Sequence, residues 1–207
     1  MIRTCLFDMG NVLLHFSHDR MCDQIGVHCG LTGPEMRQAL LESGRQWDFE
    51  RGLVTPEEFH SWFQQTFRSQ VTLPALAHAA SDIFTLNTPI VPVLDELKSR
   101  GYRLVVLSNT TIFHFEFIRE RFQVLNRFDD FVLSYEVQAM KPEAAIYEAA
   151  LKKIQCDAPD CFYTDDISQY VEHGRRHGLD AEVFTTVDDL RNQLGRRGIH
   201  LTGSVTI

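Results

Sequence analysis

The sequence predicts a doubly wound α/β fold: a parallel sheet, covered by helices on both faces, with a block of helices inserted after its first strand. Three observations predict it. Five short apolar runs are spread along the chain, at residues 4–7, 103–107, 131–134, 161–164 and 181–184. Each is too short for a helix and apolar at successive positions, the pattern of a strand buried on both sides. Helical spacing fills the intervals, as in Val91, Leu94 and Leu97 closing at Gly101, and in Ala144, Ile146, Tyr147, Ala150 and Leu151 closing near Ile154. Strand and helix in alternation imply right-handed crossovers and a ligand site at the carboxyl ends of the central strands.

The third observation is a break in this rhythm. From His18 to Thr85 no strand pattern occurs, whereas helix start signals do. Thr55-Pro56-Glu57-Glu58 combines an N-cap threonine, proline at the first helical position and a capping-box glutamate; Phe59, Trp62, Phe63 and Phe67 follow at helical spacing. Thr32-Gly33-Pro34-Glu35 is a weaker start of the same kind. The expected division is a core of residues 1–17 and 86–207 and a helical cap of residues 18–85. The cap aromatics read as core, except Trp47. The segment 46–52 is expected to interrupt the helical pattern and to turn that side chain towards a substrate.

Composition narrows the function classes. With 207 residues, 44% of them hydrophobic and 23% charged, the chain can bury one sizeable core, and disordered or fibrous architectures are excluded. Twenty Lys and Arg against 28 Asp and Glu leave a net charge of -8, which repels nucleic acid and anionic lipid unless a basic patch intervenes. None is evident. The pairs Arg175-Arg176 and Arg196-Arg197 read as the last turns of helices. No apolar run approaches the roughly 20 residues that span a bilayer, and residues 1–16 carry Asp8 within their apolar stretch rather than a cleavage site after it. The five cysteines are scattered without a C-x-x-C pair, so they are expected to be buried thiols of a cytoplasmic protein. His173 and His177, four apart, lack a third ligand and read as a helix surface.

The strand ends carry the chemistry. The first strand runs into Asp8-Met9-Gly10-Asn11-Val12, the second into Ser108-Asn109-Thr110 and the fourth into Asp165-Asp166, while Lys141-Pro142 opens the helix after the third. Any one of these motifs alone is more simply a cap or a solvated loop. In this order, over nearly the whole chain, they resemble the haloacid dehalogenase superfamily of hydrolases that form an aspartyl phosphate. The loop F-D-x-G-N-V is similar to that of the branch containing sugar-phosphate phosphatases and the N-terminal domain of epoxide hydrolases. The hundred residues between Asp8 and Ser108 are similar to the spacing in members with a helical cap inserted here.

The roles also follow from physical chemistry. A carboxylate at a central strand end, Asp8, can attack phosphorus in line and divide hydrolysis into two easier displacements. The anionic ester requires charge neutralisation, which Mg²⁺ supplies when held by one or two carboxylates, substrate oxygen and water. Asp8, Asp166 with its neighbour Asp165, and the Gly10 carbonyl are the expected metal site. Lys141 offsets repulsion between nucleophile and phosphate. Ser108 and the Asn109 backbone are expected to donate to phosphoryl oxygens, with Asn11 and Trp47 also facing the substrate.

Two positions depart from the family pattern. Most phosphatases of the superfamily carry a second Asp two residues after the nucleophile, as acid for the leaving group and base for water; here Gly10 stands there. Tyr170 stands where Asp or Asn often supports the metal. Three functions are therefore weighed. The first is a Mg²⁺-dependent phosphatase for a small phosphorylated metabolite, such as a sugar phosphate. The second is a metal-independent 2-haloacid dehalogenase, which the acidic pair Asp165-Asp166 disfavours. The third is a non-catalytic relative that binds a phosphometabolite or a protein.

Overall fold

A computed structural model describes residues 1–202. In chain order the strands are β1 (Thr4–Phe7), β2 (Leu14–His15), β3 (Thr85–Leu86), β4 (Arg103–Ser108), β5 (Asp130–Leu133), β6 (Cys161–Asp165) and β7 (Asp180–Val183). Five of them form one parallel sheet in the order β5-β4-β1-β6-β7, with β1 at its centre. Every apolar run expected to be a strand is one, to within a residue or two at its ends. The reason is burial: Leu6, Val105, Leu107 and Tyr163 pack on one face, while Cys5, Phe7, Leu104, Val106 and Phe162 pack on the other.

The helices are α1 (His18–Val27), α2 (Gly33–Arg37), α3 (Arg45–Glu50), α4 (Pro56–Phe67), α5 (Leu73–Ser81), α6 (Val91–Ser99), α7 (Ile112–Arg121), α8 (Ser134–Val137), α9 (Ala144–Lys153), α10 (Ser168–Arg176) and α11 (Val187–Gly195). Side chains of α6, α7 and α11 cover the Phe7 face, and those of α9 and α10 cover the Leu6 face. Helices α1 to α5 and the turn between α2 and α3 build a third cluster, including Met21, Met36, Leu40, Phe49, Phe59, Phe63 and Leu76. It meets the sheet layers through Phe84, Ile112 and Phe113. Both capping boxes form, at Thr32 with Glu35 and at Thr55 with Glu58.

Four local expectations require correction. The segment 46–52 does not interrupt helical structure: α3 runs through most of it, started by Gly44 at φ 83° after a π-type turn over Gln38–Glu42. Lys141-Pro142 does not open α9, which begins at Ala144; the short helix α8 lies between the third sheet strand and this loop. The two-residue strands β2 and β3 pair antiparallel where the chain leaves and re-enters the sheet layers, and runs so short leave no periodic signal. Two of the five cysteines, Cys29 and Cys156, are half-buried rather than buried. Among the described residues no helix is long and apolar enough to cross a membrane.

Candidate active site

Strand register brings the motifs to one edge. Phe7 pairs with Val106 on one side and Thr164 on the other, so the residues after each strand converge at the carboxyl end of β1. The Asp8 amide donates to the Thr164 carbonyl at 3.0 Å, extending β1 by one residue. The turn that follows is closed by Leu13 and Leu14 amides donating to the Met9 carbonyl. Asn11 takes a left-handed conformation within it, φ 54°, which asparagine tolerates better than most residues. That conformation lets Asn11 Nδ2 donate to Asp166 Oδ2 at 3.0 Å, binding the first motif to the last.

Lys141 occupies the centre. Its buried ammonium donates to Asp8 Oδ1 at 2.7 Å, to Asp165 Oδ2 at 2.6 Å and to the Leu107 carbonyl at 3.1 Å. Asn109 holds the lysine backbone from both sides: Lys141 N donates to Asn109 Oδ1 at 2.8 Å, and Asn109 Nδ2 donates to the Lys141 carbonyl at 3.1 Å. The Asn109 side chain is thus occupied in positioning the lysine, while its backbone amide, the group expected to meet the substrate, is not used in these bonds. Tyr170 puts its ring face 5.1 Å from Lys141 Nζ, a cation–π contact at the position where the family often has a metal-supporting side chain.

Asp165 has more partners than a free metal ligand would. Besides Lys141, Oδ2 accepts from the Tyr163 hydroxyl at 2.6 Å, and Oδ1 accepts from the Ile167 amide at 2.9 Å. Tyr163 and Asp165 lie two apart on β6 and so share a face. Ser108 is buried beside this cluster, its hydroxyl 3.3 Å from the Asn109 carbonyl.

The charges do not cancel. Asp8, Asp165 and Asp166 each offer an oxygen within 4.8 Å of the others, against the single ammonium of Lys141. Burial pushes the Asp8 carboxyl up to about 7, with Lys141 pulling it down and Asp165 pushing it further up. Burial also raises Asp166, partly offset by the Asn11 hydrogen bond. Burial opposes the Lys141 charge, but Asp165 and Asp8 together raise its pKa above the ordinary lysine value. Three clustered hard oxygen donors facing one cation are the donor set that suits a divalent ion such as Mg²⁺.

A cavity of about 220 Å³ opens over these groups. Asp8, Gly10, Asn11, Ser108, Asn109, Lys141 and Asp166 line its floor; the helical block contributes His18, Trp47 and Glu50. Met9, Phe16, Phe84, Met140 and Ile167 make much of the wall apolar. Trp47 lies at this cavity, 40% exposed, with its indole nitrogen donating to the Leu41 carbonyl at 3.0 Å. Asp165 is the one expected site residue behind the wall rather than on it.

Phe16 and Glu50 lacked an evident sequence signal. A Cβ on Gly10 would lie 2.9 Å from Phe16 Cε1, so the phenyl ring occupies the space that a second aspartate would need. Glu50 is a buried acid in the last turn of α3, where the helix dipole disfavours negative charge; that mismatch was the available clue. His173 and His177 form no metal cluster with a third ligand among the described residues, and His177 stacks on Tyr147 at 4.9 Å.

A parallel sheet with a lysine–carboxylate cluster at its carboxyl edge, covered by an inserted helical block, defines the class of α/β hydrolase to which this architecture belongs. The chain is a member of the haloacid dehalogenase-like hydrolase family, which it matches over residues 2–178. It is 24% identical over 94% of its length to a drimenol cyclase of Aspergillus calidoustus, of which it spans only 36%. It is 26% identical to a sesquiterpene phosphatase of Aspergillus oryzae, covering 79% of this chain and 80% of that protein. A D-ribitol-5-phosphate phosphatase of Bacteroides thetaiotaomicron is 23% identical over 94% of this chain and 97% of its own. A crystal structure of a haloacid dehalogenase family enzyme from the same bacterium has a TM-score of 0.81 at 23% identity, covering 92% and 97% of the two chains. A further structure of that enzyme holds magnesium and inorganic phosphate. An L-2-haloacid dehalogenase of Xanthobacter autotrophicus shares the fold more distantly, with a TM-score of 0.64 at 14% identity over 96% of this chain and 84% of that one.

Proposed function

We propose that the protein is a Mg²⁺-dependent phosphatase that hydrolyses a small phosphorylated metabolite through an aspartyl phosphate on Asp8. The observation that carries this reading is the excess of negative charge around Lys141: three carboxylates, one ammonium and a cavity above them. A dehalogenase nucleophile needs no metal. The Asp166 carboxylate, held towards Asp8 by Asn11, has no use in a metal-free site.

Asp8, Asp166 and the Gly10 carbonyl would hold the ion, which supplies charge neutralisation for the ester and the departing group. The chain's own residues do the rest. Lys141 keeps Asp8 Oδ1 fixed by its 2.7 Å bond and places positive charge where the phosphoryl oxygens gather. Asp165 and Tyr163 hold the lysine in turn. Ser108 and the Asn109 amide, at the turn after β4, are the donors available to a phosphoryl oxygen. Residues 18–85 act as a cap that selects the organic part of the substrate. The apolar side chains Met9, Phe16, Trp47, Phe84, Met140 and Ile167 favour a partly apolar alcohol over a fully hydroxylated sugar. The phosphatase relatives that act on sesquiterpene and ribitol esters support both ends of that range.

The test is phosphate release from a panel of sugar, polyol, aryl and prenyl phosphates with Mg²⁺ and with EDTA. Release that EDTA abolishes and Mg²⁺ restores is the expected result. Halide release from a 2-haloacid in EDTA, without phosphatase activity, would replace this reading with the dehalogenase one.

A further inference from the structure

Gly10 leaves the leaving group without an acid at its usual place, and Phe16 fills the gap. Another cavity wall carries a carboxyl that the mechanism above does not use. Glu50 is 6% exposed, lines the same cavity as Asp8, and sits in the block facing the sheet edge. In-line attack from Asp8 drives the ester oxygen off the far side of phosphorus, away from the sheet and towards that block.

Glu50 is also held in place more firmly than a surface glutamate. Its carbonyl accepts from the Ser134 hydroxyl at 2.6 Å, and the same hydroxyl accepts from the Thr110 amide at 2.9 Å, so one serine links the Glu50 turn to the Ser108–Thr110 turn. Arg51 forms an ion pair with Glu143 at 2.6 Å, two residues beyond Lys141. Gly52, at φ 72°, approaches Tyr135 so closely that a Cβ would collide with its backbone carbonyl. Three successive residues therefore dock onto α8 and the Lys141 loop, and Glu50 is carried into the cavity by that docking.

We propose that Glu50 is the catalytic proton-transfer group of this enzyme, replacing the acid that Gly10 lacks. The inference rests on the phosphatase reading above. In the first step an Asp8 oxygen bonds to phosphorus, the bond from phosphorus to the ester oxygen breaks, and that oxygen takes the Glu50 proton as it leaves as an alcohol. In the second, water attacks phosphorus and gives a proton to the Glu50 carboxylate. The acyl phosphate bond breaks, phosphate departs, and both side chains return to their starting states. Burial, slightly offset by Gln46, raises the Glu50 carboxyl to about 7, so it is available protonated near neutral pH. The charged and titratable groups on the elements that meet here are Arg45, Asp48 and Arg51 at α3, Tyr135 and Glu136 on α8, Glu143 beyond Lys141, and His18, His114, Asp8, Lys141, Asp166 and Tyr170 on the cavity walls.

The test compares wild type with Glu50→Gln on 4-nitrophenyl phosphate and on a primary alkyl phosphate, in single-turnover and steady-state modes with Mg²⁺. Nitrophenolate is a good leaving group and needs no proton. The variant should release one equivalent of it per enzyme at close to the wild-type rate, then turn over slowly because the second step lacks its base. On the alkyl ester its single-turnover rate should fall by about 10² to 10⁴, with partial recovery in Glu50→Asp. Equal losses of single-turnover rate on both esters, or no loss on the alkyl ester, would overturn the assignment while leaving the phosphatase reading intact. Glutamine matches the neutral carboxyl in shape, so a melting temperature no lower than that of wild type verifies folding. Failure of the wild type to release phosphate from any ester would overturn both.

Discussion

The sheet edge and the helical block each bury a carboxylate beside the same cavity, under opposite conditions. Asp165 is fully buried and has an ammonium, a phenol and a backbone amide as partners. Glu50 is nearly as buried, and its neighbour is an uncharged glutamine, Gln46. A carboxylate with that many donors fixes what it touches; one without them, pushed up by burial, exchanges its proton near neutrality. The difference separates a group that positions a charge from a group that can carry a proton, and three measurements press on it.

The largest effect belongs to the sheet edge. Asp8→Asn keeps the shape of the side chain and removes the attacking charge, so phosphate release should drop to background. Lys141 retains Asp165, so the melting temperature should move little. Measurable turnover in a purified sample would move the nucleophile elsewhere. Next is Lys141→Met, which leaves Asp8 and Asp165 facing each other without a cation. Breaking a buried pair in this way costs about 3 to 5 kcal/mol. Urea unfolding in EDTA at pH 8 should report a loss of that order, shrinking in acid as Asp8 protonates. A loss below 1 kcal/mol at pH 8 would mean that the cluster is not held by the lysine.

The smallest effect belongs to Glu50 and depends on pH. Burial raises its carboxyl to about 7 in the folded chain, against 4.5 for an ordinary exposed glutamate. Below 4.5 both states hold the proton. Between 4.5 and 7 the folded state keeps a proton that the unfolded chain releases, so stability declines as pH rises through this window and levels off above it. Glu50→Gln removes that decline. Relative to wild type the variant should gain up to about 3 kcal/mol between pH 4 and pH 8, read from urea midpoints. A difference that does not change with pH would show that folding leaves the Glu50 carboxyl unshifted.

The same contrast bears on what the sequence made legible. Strand positions were readable because both faces of each run are buried, and Asp8 and Asp166 were readable because strand ends in a parallel sheet must converge; Lys141, beyond α8, was readable only through the family resemblance. The helix starts at Thr32 and Thr55 declared themselves through their capping residues. The partner relations were not readable. That Asn109 would spend its amide on the Lys141 backbone, and Tyr170 its ring on the Lys141 ammonium, depends on a loop path between α8 and α9 that no periodicity encodes. Glu50 escaped because residues 46–52 read as a break in the helical pattern; its meaning comes from docking against residues more than eighty positions away. Phe16 escaped because its effect is to fill space beside a glycine.

The small ribbon of β2 and β3 has a consequence for how such a chain folds and diversifies. Leu14 pairs with Leu86 and His15 with Thr85, and Asn87 reinforces the junction by donating from its side chain to the Val12 carbonyl at 2.8 Å and from its amide to the Leu13 carbonyl at 3.0 Å. The two ends of the insertion are therefore stitched together at their base. To the nascent sheet, joining β1 to β4 is then the closure of a short loop rather than of nearly a hundred residues, and closure entropy depends only weakly on what lies beyond the stitch. An insert fastened in this manner behaves as an exchangeable cassette: its length and lining can drift while the strand ends at the sheet edge keep their register.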